Sequence, residues 1–167
     1  TDGAAGLHYT NRSGRNDLVS MKVARDDRHV YWYARTRQPL TPHTDGNWMW
    51  LLIEADQNTQ NGWHGYDYIV NRSVEDHQTT WLERYVGDWR WEKVARVRYR
   101  TDGDQFHLQI PRDALRLTSD NTDPSPESLS LGFQWMDNCQ RPGDIMDTYQ
   151  SGDVAPEGRF RYQYLVE

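Results

Sequence analysis

One short loop of the 167-residue chain carries side-chain oxygens at alternating positions. Asp56, Asn58 and Gln60 follow an apolar run from Trp48 to Ile53, Gly62 permits a sharp turn, and Asp67 closes the segment ahead of Tyr68-Ile69-Val70. A hard cation such as Ca²⁺ takes about 6 to 8 oxygen ligands, and carboxylates and amide carbonyls alternating before a glycine can supply several of them. Asp56, Asn58, Gln60 and Asp67 are therefore candidate Ca²⁺ ligands. The closing bidentate Glu of an EF-hand is missing, and no helical pattern flanks the loop. A second reading stays open, an Asx-rich hairpin whose side chains bond to their own backbone.

The aromatic content is the next chemical signal. With 8 Trp and 10 Tyr, the chain holds more large rings than a small β core requires. Sugars present C–H patches to aromatic faces and hydroxyls to planar polar groups, so a sugar site needs exposed rings beside amides, carboxylates or guanidinium groups. Trp32, Trp48 and Trp63 are expected in the core or under loops. Trp50, Trp81, Trp89, Trp91 and Trp135 are the candidates for ligand contact, with Asn71 and Arg98 as polar partners. Trp89 and Trp91 stand two apart and share one side of an extended chain, which makes them the leading pair. Arg96, Arg98 and Arg100 also alternate; they read as the solvated face of a strand, with an acidic-ligand site as the alternative.

These residues must be positioned by strands. Apolar residues come in short bursts, many alternating, separated by Gly, Asn, Asp and Pro, and no window sustains a helical stripe. Strands are expected over 18–25, 29–36, 48–53, 66–72, 79–85, 89–99, 105–110, 130–137 and 160–166, with a helical turn at 111–115 and the longest loop at 118–128. On the second of these, Val30, Trp32 and Ala34 share one face and Tyr31, Tyr33 and Arg35 the other, so one face is core and the other is available as an aromatic surface. The pattern predicts an all-β, two-sheet antiparallel β-sandwich, jelly-roll-like, with residues 1–167 as a single domain.

The net charge of −6 argues against nucleic acid or an anionic membrane as partner, since both demand a positive field. A lone Cys139 allows no internal disulfide and reads as a buried small side chain. No apolar stretch is long enough for a transmembrane helix, and a start at Thr1 suggests a processed or excised segment, either a module cut from a larger secreted polypeptide or a chain with a trimmed tag. No nucleophile–base order, phosphate loop or zinc spacing stands out, so no catalytic residue is assigned. Glycoside cleavage by a carboxylate pair among Asp137, Asp144 and Asp147 is the enzymatic alternative.

The order of motifs resembles the family nine carbohydrate-binding modules, within the wider DOMON-like β-sandwich group. The resemblance is carried by Gly14-Arg15-Asn16-Asp17, Val30-Tyr31-Trp32-Tyr33, Asn47-Trp48-Met49, the Asp-rich loop into Gly62-Trp63-His64-Gly65-Tyr66-Asp67, Phe106 to Pro111, and Phe133 to Asn138 followed by Gly143-Asp144-Ile145-Met146-Asp147. It implies a non-catalytic module that binds polysaccharide or oligosaccharide, carries structural Ca²⁺, and is covalently linked to the catalytic domain of a secreted bacterial glycoside-active enzyme. The chain departs from the pattern at Asn58 and Glu54, where Asp is usual. Because some DOMON-like domains hold haem through Met and His, Met21, Met49, Met136 and Met146 with His29 or His107 form a further alternative.

Overall fold

The computed structural model describes residues 13–115 and 129–166. Ten strands follow in chain order: β1 (Leu18–Arg25), β2 (His29–Thr36), β3 (Trp50–Glu54), β4 (Tyr68–Val74), β5 (Thr79–Gly87), β6 (Arg90–Asp102), β7 (Gln105–Pro111), β8 (Leu129–Asp137), β9 (Asp153–Ala155) and β10 (Tyr162–Val166). All pair antiparallel, in the order β1-β2-β7-β6-β5-β4-β3-β8-β10, with β9 on the edge of β8 that β10 also uses. The all-β antiparallel architecture is the expected one. Its two layers belong to a single ladder that curls into a nearly barrel-shaped sheet.

The curl follows from which faces are apolar. In β2, Val30, Trp32 and Ala34 are buried and alternate with the exposed or half-buried Tyr31 and Tyr33. The same period of two runs through β7, where Phe106, Leu108 and Ile110 point inward. These residues reach Leu51 and Ile53 of β3 and Leu131, Phe133 and Trp135 of β8 in one continuous core. Phe106 and Trp135 lie 5.5 Å apart between ring centroids although several strands separate them in the ladder, which only a sheet folded over its own face allows. The two ends of the ladder are tied where the Asp153 carboxylate of β9 accepts the Leu18 amide of β1 at 2.7 Å.

β3 is buried on both faces, which a one-layer alternation does not provide. A second apolar cluster covers its outer side: Trp50, Leu52, Trp63, Tyr66, Ile69, Trp91, Met136, Cys139 and Val154, with Tyr85, Trp89 and Ile145 packed against it. Three pieces of chain supply this cover, the 55–67 loop, the β5–β6 hairpin and the segment from Cys139 to Val154. The last includes a short 3-10 helix, Ile145–Tyr149, capped by the Asp144 carboxylate on the Met146 amide at 2.9 Å. Neither this helix nor β9 was legible as an element.

One further expectation changes. Pro111 ends β7, and the chain then makes a plain turn with the Ala114 amide on the Pro111 carbonyl at 3.1 Å, not a helical turn. The loop expected at 118–128 and the polar N-terminal stretch up to residue 12 lie outside the described residues. No helix among the described residues is long and apolar enough to cross a membrane.

Candidate functional site

The oxygen-rich loop emerges from β3 and largely satisfies itself. Asp56 Oδ1 accepts the Asn58 amide at 2.8 Å, and Asn58 Oδ1 accepts the Gln60 amide at 3.1 Å, two successive Asx turns. Asp56 Oδ2 also accepts from the Asn61 side chain at 2.5 Å, and Asp67 Oδ2 accepts the Ala55 amide at 2.7 Å. Asn58 and Gln60 are exposed. Three carboxylates do converge, those of Glu54, Asp56 and Asp67, with one oxygen from each within 4.8 Å of the others. Burial pushes the Glu54 and Asp67 carboxyls up, and each of them is raised further by the charge of a neighbouring carboxylate.

Glu54 is the residue the alternating pattern missed as a ligand. It is 2 % exposed, and its Oε1 has no hydrogen-bond partner among the described residues. A buried unpaired carboxylate oxygen is costly, and a cation at this cluster would satisfy it. Gly132 on β8 makes room for it, since a Cβ there would lie 2.9 Å from both Glu54 Oε2 and the Arg161 side chain. The residues present thus fit a hard cation, with Glu54 in the place where the sequence pattern put Asn58 and Gln60. The signal was its parity, two residues before Asp56.

The tryptophan surplus is mostly consumed by the two cores. Trp135 is fully buried, Trp50 is 4 % exposed and Trp91 is 8 % exposed, so none of the three offers a face to a ligand. Trp89 is half-buried. It and Asp88 both adopt positive φ, as the centre of a two-residue type I′ hairpin demands, and its ring lies 4.6 Å from Trp63, 5.4 Å from Trp91 and 5.7 Å from Trp50. The side chain is a wedge between the hairpin and the outer cluster. Asn71 is buried at a positive φ of 67°, in the irregular stretch of β4, and donates to the Met49 carbonyl at 2.7 Å. It shapes the strand and does not face solvent. Trp81 keeps a partly open face with the Lys93 ammonium 4.8 Å from its centroid.

Of the residues expected to meet sugar, Arg98 reaches an open surface that can do so. The outer faces of β1, β2, β7 and β6 form a groove of about 1040 Å³. Its side chains align in cross-strand rows set by the register. Lys22, Tyr33, His107 and Arg100 make one row. Ala24, Tyr31, Gln109 and Arg98 make the next. Tyr33 and His107 meet edge to face at 5.1 Å, and the Tyr31 hydroxyl donates to Asp26 Oδ2 at 2.6 Å, which fixes its ring. That bond holds the Asp26 carboxyl down at about 2 and raises the phenol. The 75–79 turn between β4 and β5 borders the groove with His77 and Gln78, tied to β6 by the Tyr99 hydroxyl on the Asp76 carbonyl at 2.6 Å.

The carboxylates considered for glycoside cleavage have structural partners. Asp137 is fully buried, with Oδ1 accepting from the Met49 amide at 2.8 Å and Asn16 Nδ2 at 3.0 Å and Oδ2 from Arg15 Nε at 2.9 Å. Asp147 is buried and accepts from the Gln140 and Arg141 amides and the Ser151 hydroxyl at 2.8, 3.0 and 2.7 Å. Asp144 caps the 3-10 helix. For the haem alternative, Met49 and Met136 are packed in the two apolar clusters, while His107 lies on the outer face of β7.

No protein-family model matches the chain, and neither curated proteins nor solved structures give a significant match.

Proposed function

We propose that the protein is a non-catalytic carbohydrate-binding module and that it holds polysaccharide in the groove on the outer face of β1, β2, β7 and β6. The observation that carries this reading is the pair of rows centred on Tyr31 and Tyr33. An exposed ring, Tyr31, and a half-buried one, Tyr33, lie on neighbouring positions of one strand face, flanked by His107, Gln109 and Arg98, the mixture of apolar faces and planar polar groups that sugars require. The groove is partly open to solvent instead of a closed cavity, which leaves room for a chain as well as for a small free sugar. Attachment to a glycoside-active catalytic domain and display outside the cell complete the proposal; they rest on the sequence resemblance alone.

The test is retention of the isolated protein on a panel of immobilised polysaccharides, together with a Tyr31→Ala/Tyr33→Ala double variant. Each truncation removes stacking area worth about 1–2 kcal/mol, so the double variant is expected to bind at least about tenfold more weakly. Unchanged retention of a folded double variant would move the site elsewhere. Release of soluble product would replace the module by an enzyme.

The proposal includes Ca²⁺ held by Glu54, Asp56 and Asp67 as a structural ion beneath the 55–67 loop. Saturation to about 100 times Kd adds about 2.7 kcal/mol of stability, which for a chain of this size raises the melting temperature by about 5–10 °C. Chelation should reverse the gain, and Glu54→Gln should abolish it. A melting curve indifferent to Ca²⁺ and chelator would reject the ion.

A further inference from the structure

The groove carries charge of the opposite sign to the chain around it. We propose that its ligand is an acidic polysaccharide whose pyranose rings bear carboxylates; this inference rests on reading the groove as a glycan site. The chain has 25 acidic against 19 basic residues, yet among the described residues no Asp or Glu lines the groove, while Lys22, Arg98 and Arg100 do.

The register places these cations at the ends of the aromatic rows. Lys22 on β1 and Arg100 on β6 terminate one row, about 14 Å apart across the sheet at three interstrand steps. Arg98 terminates the other row, about 7 Å along β6 from Arg100. A pyranose lying on Tyr31 or Tyr33 would extend its equatorial carboxylate outward from the ring edge, toward these flanks. A guanidinium meets a carboxylate with two parallel hydrogen bonds, a geometry that neutral hydroxyls do not reproduce.

Competing charges within the protein leave these groups available. Arg96, the third arginine of the strand, pairs with Glu75 at 2.7 Å and leans over Trp81. Arg100 pairs with Asp102 at 3.5 Å, but both side chains are mostly exposed, and such pairs contribute little. Arg98 has no ion-pair partner among the described residues. At the far rim Asp26 is engaged by the Tyr31 hydroxyl and by the Arg28 and His29 amides, and the Asp76 carboxylate accepts the Gln78 amide. The Lys22 ammonium lies 5.6 Å from the Tyr33 centroid on a flexible stem and can turn to a ligand carboxylate.

The experiment compares dissociation constants of the whole chain for an oligogalacturonate, for the same oligomer after reduction of its carboxyls to alcohols, for dextran sulfate and for single-stranded DNA. The acidic oligomer is expected to bind about tenfold or more tightly than its reduced form, with a preference that shrinks as salt is raised. Arg98→Gln/Arg100→Gln should weaken the acidic oligomer more than the reduced one. Equal affinity for both oligomers would overturn the inference and leave a neutral-glycan module standing. Tighter binding of dextran sulfate or DNA than of the uronate would overturn the carboxylate assignment, and failure of every glycan to bind would overturn both readings.

Discussion

Replacing Trp91 by Ala is expected to cost about 3–5 kcal/mol of stability, the range for truncating a buried tryptophan, and to leave the glycan affinity of the folded fraction unchanged. Trp91 is 8 % exposed and packs edge to face with Tyr85 at 5.3 Å and Trp89 at 5.4 Å, in the cluster that covers the outer side of β3. Its removal opens a cavity under the β5–β6 hairpin, whose tip is already held in a positive-φ turn by the wedge of Trp89. Sequence spacing alone assigned Trp89 and Trp91 to a sugar platform, and on that view the same substitution would spare the fold and abolish binding. Denaturant unfolding alongside a glycan titration separates the two. A variant of native stability without binding would return the site to this hairpin.

The second large effect is expected at Asp137→Ala, about 3–5 kcal/mol, the cost of removing one partner from a buried ion pair. Asp137 is fully buried, and Arg15 grips it through both oxygens, Nε at 2.9 Å from Oδ2 and Nη2 at 3.1 Å from Oδ1. The same carboxylate fixes the Met49 amide, where Asn47 and Met49 both have positive φ, so it fastens a strained approach to β3 onto the end of β8. Burial raises the Asp137 carboxyl, and the bonds from Arg15, Asn16 and Met49 oppose that rise. Truncation leaves a partly buried guanidinium and a buried amide without an acceptor. Thermal unfolding measures the loss; a variant that melts with the wild type would show that these bonds contribute no net stability.

These two residues also show how much could be read in the sequence. The bounds of β1 and β2 were legible to the residue, because Asp26-Asp27-Arg28 is a hairpin-length break between two alternating runs. Most of the remaining strands were legible for the same local reason. β9 was not, because three residues carry too little periodicity and are extended only through their bonds to β8. The tryptophans misled because composition counts rings without saying how many cores there are. One sheet face needs few of them, but β3 is sandwiched between two apolar clusters, and the second absorbs Trp50, Trp63 and Trp91.

The groove was half legible. The alternation of Tyr31 with Tyr33 and of Arg98 with Arg100 gave each strand an outer face, and Arg98 stands among the expected polar contacts. What no local pattern contains is the strand order. β7 pairs with both β2 and β6, and that long-range choice sets His107 and Gln109 between the tyrosines and the arginines. Glu54 was legible only as a departure from the family-like pattern two residues before Asp56, and only the return of the chain at Asp67 gathers the other carboxylates around it.

The measurement that tests the central claim most directly is residue-by-residue mapping of the glycan contact, by NMR chemical-shift perturbation of the labelled protein on titration with an oligogalacturonate. The account predicts perturbations concentrated at Lys22, Ala24, Tyr31, Tyr33, Arg98, Arg100, His107 and Gln109, with little change at Trp89, Trp91 or their neighbours on the opposite side. Perturbations confined to the β5–β6 hairpin and the 55–67 loop, with the rows of β1, β2, β7 and β6 silent, would contradict it.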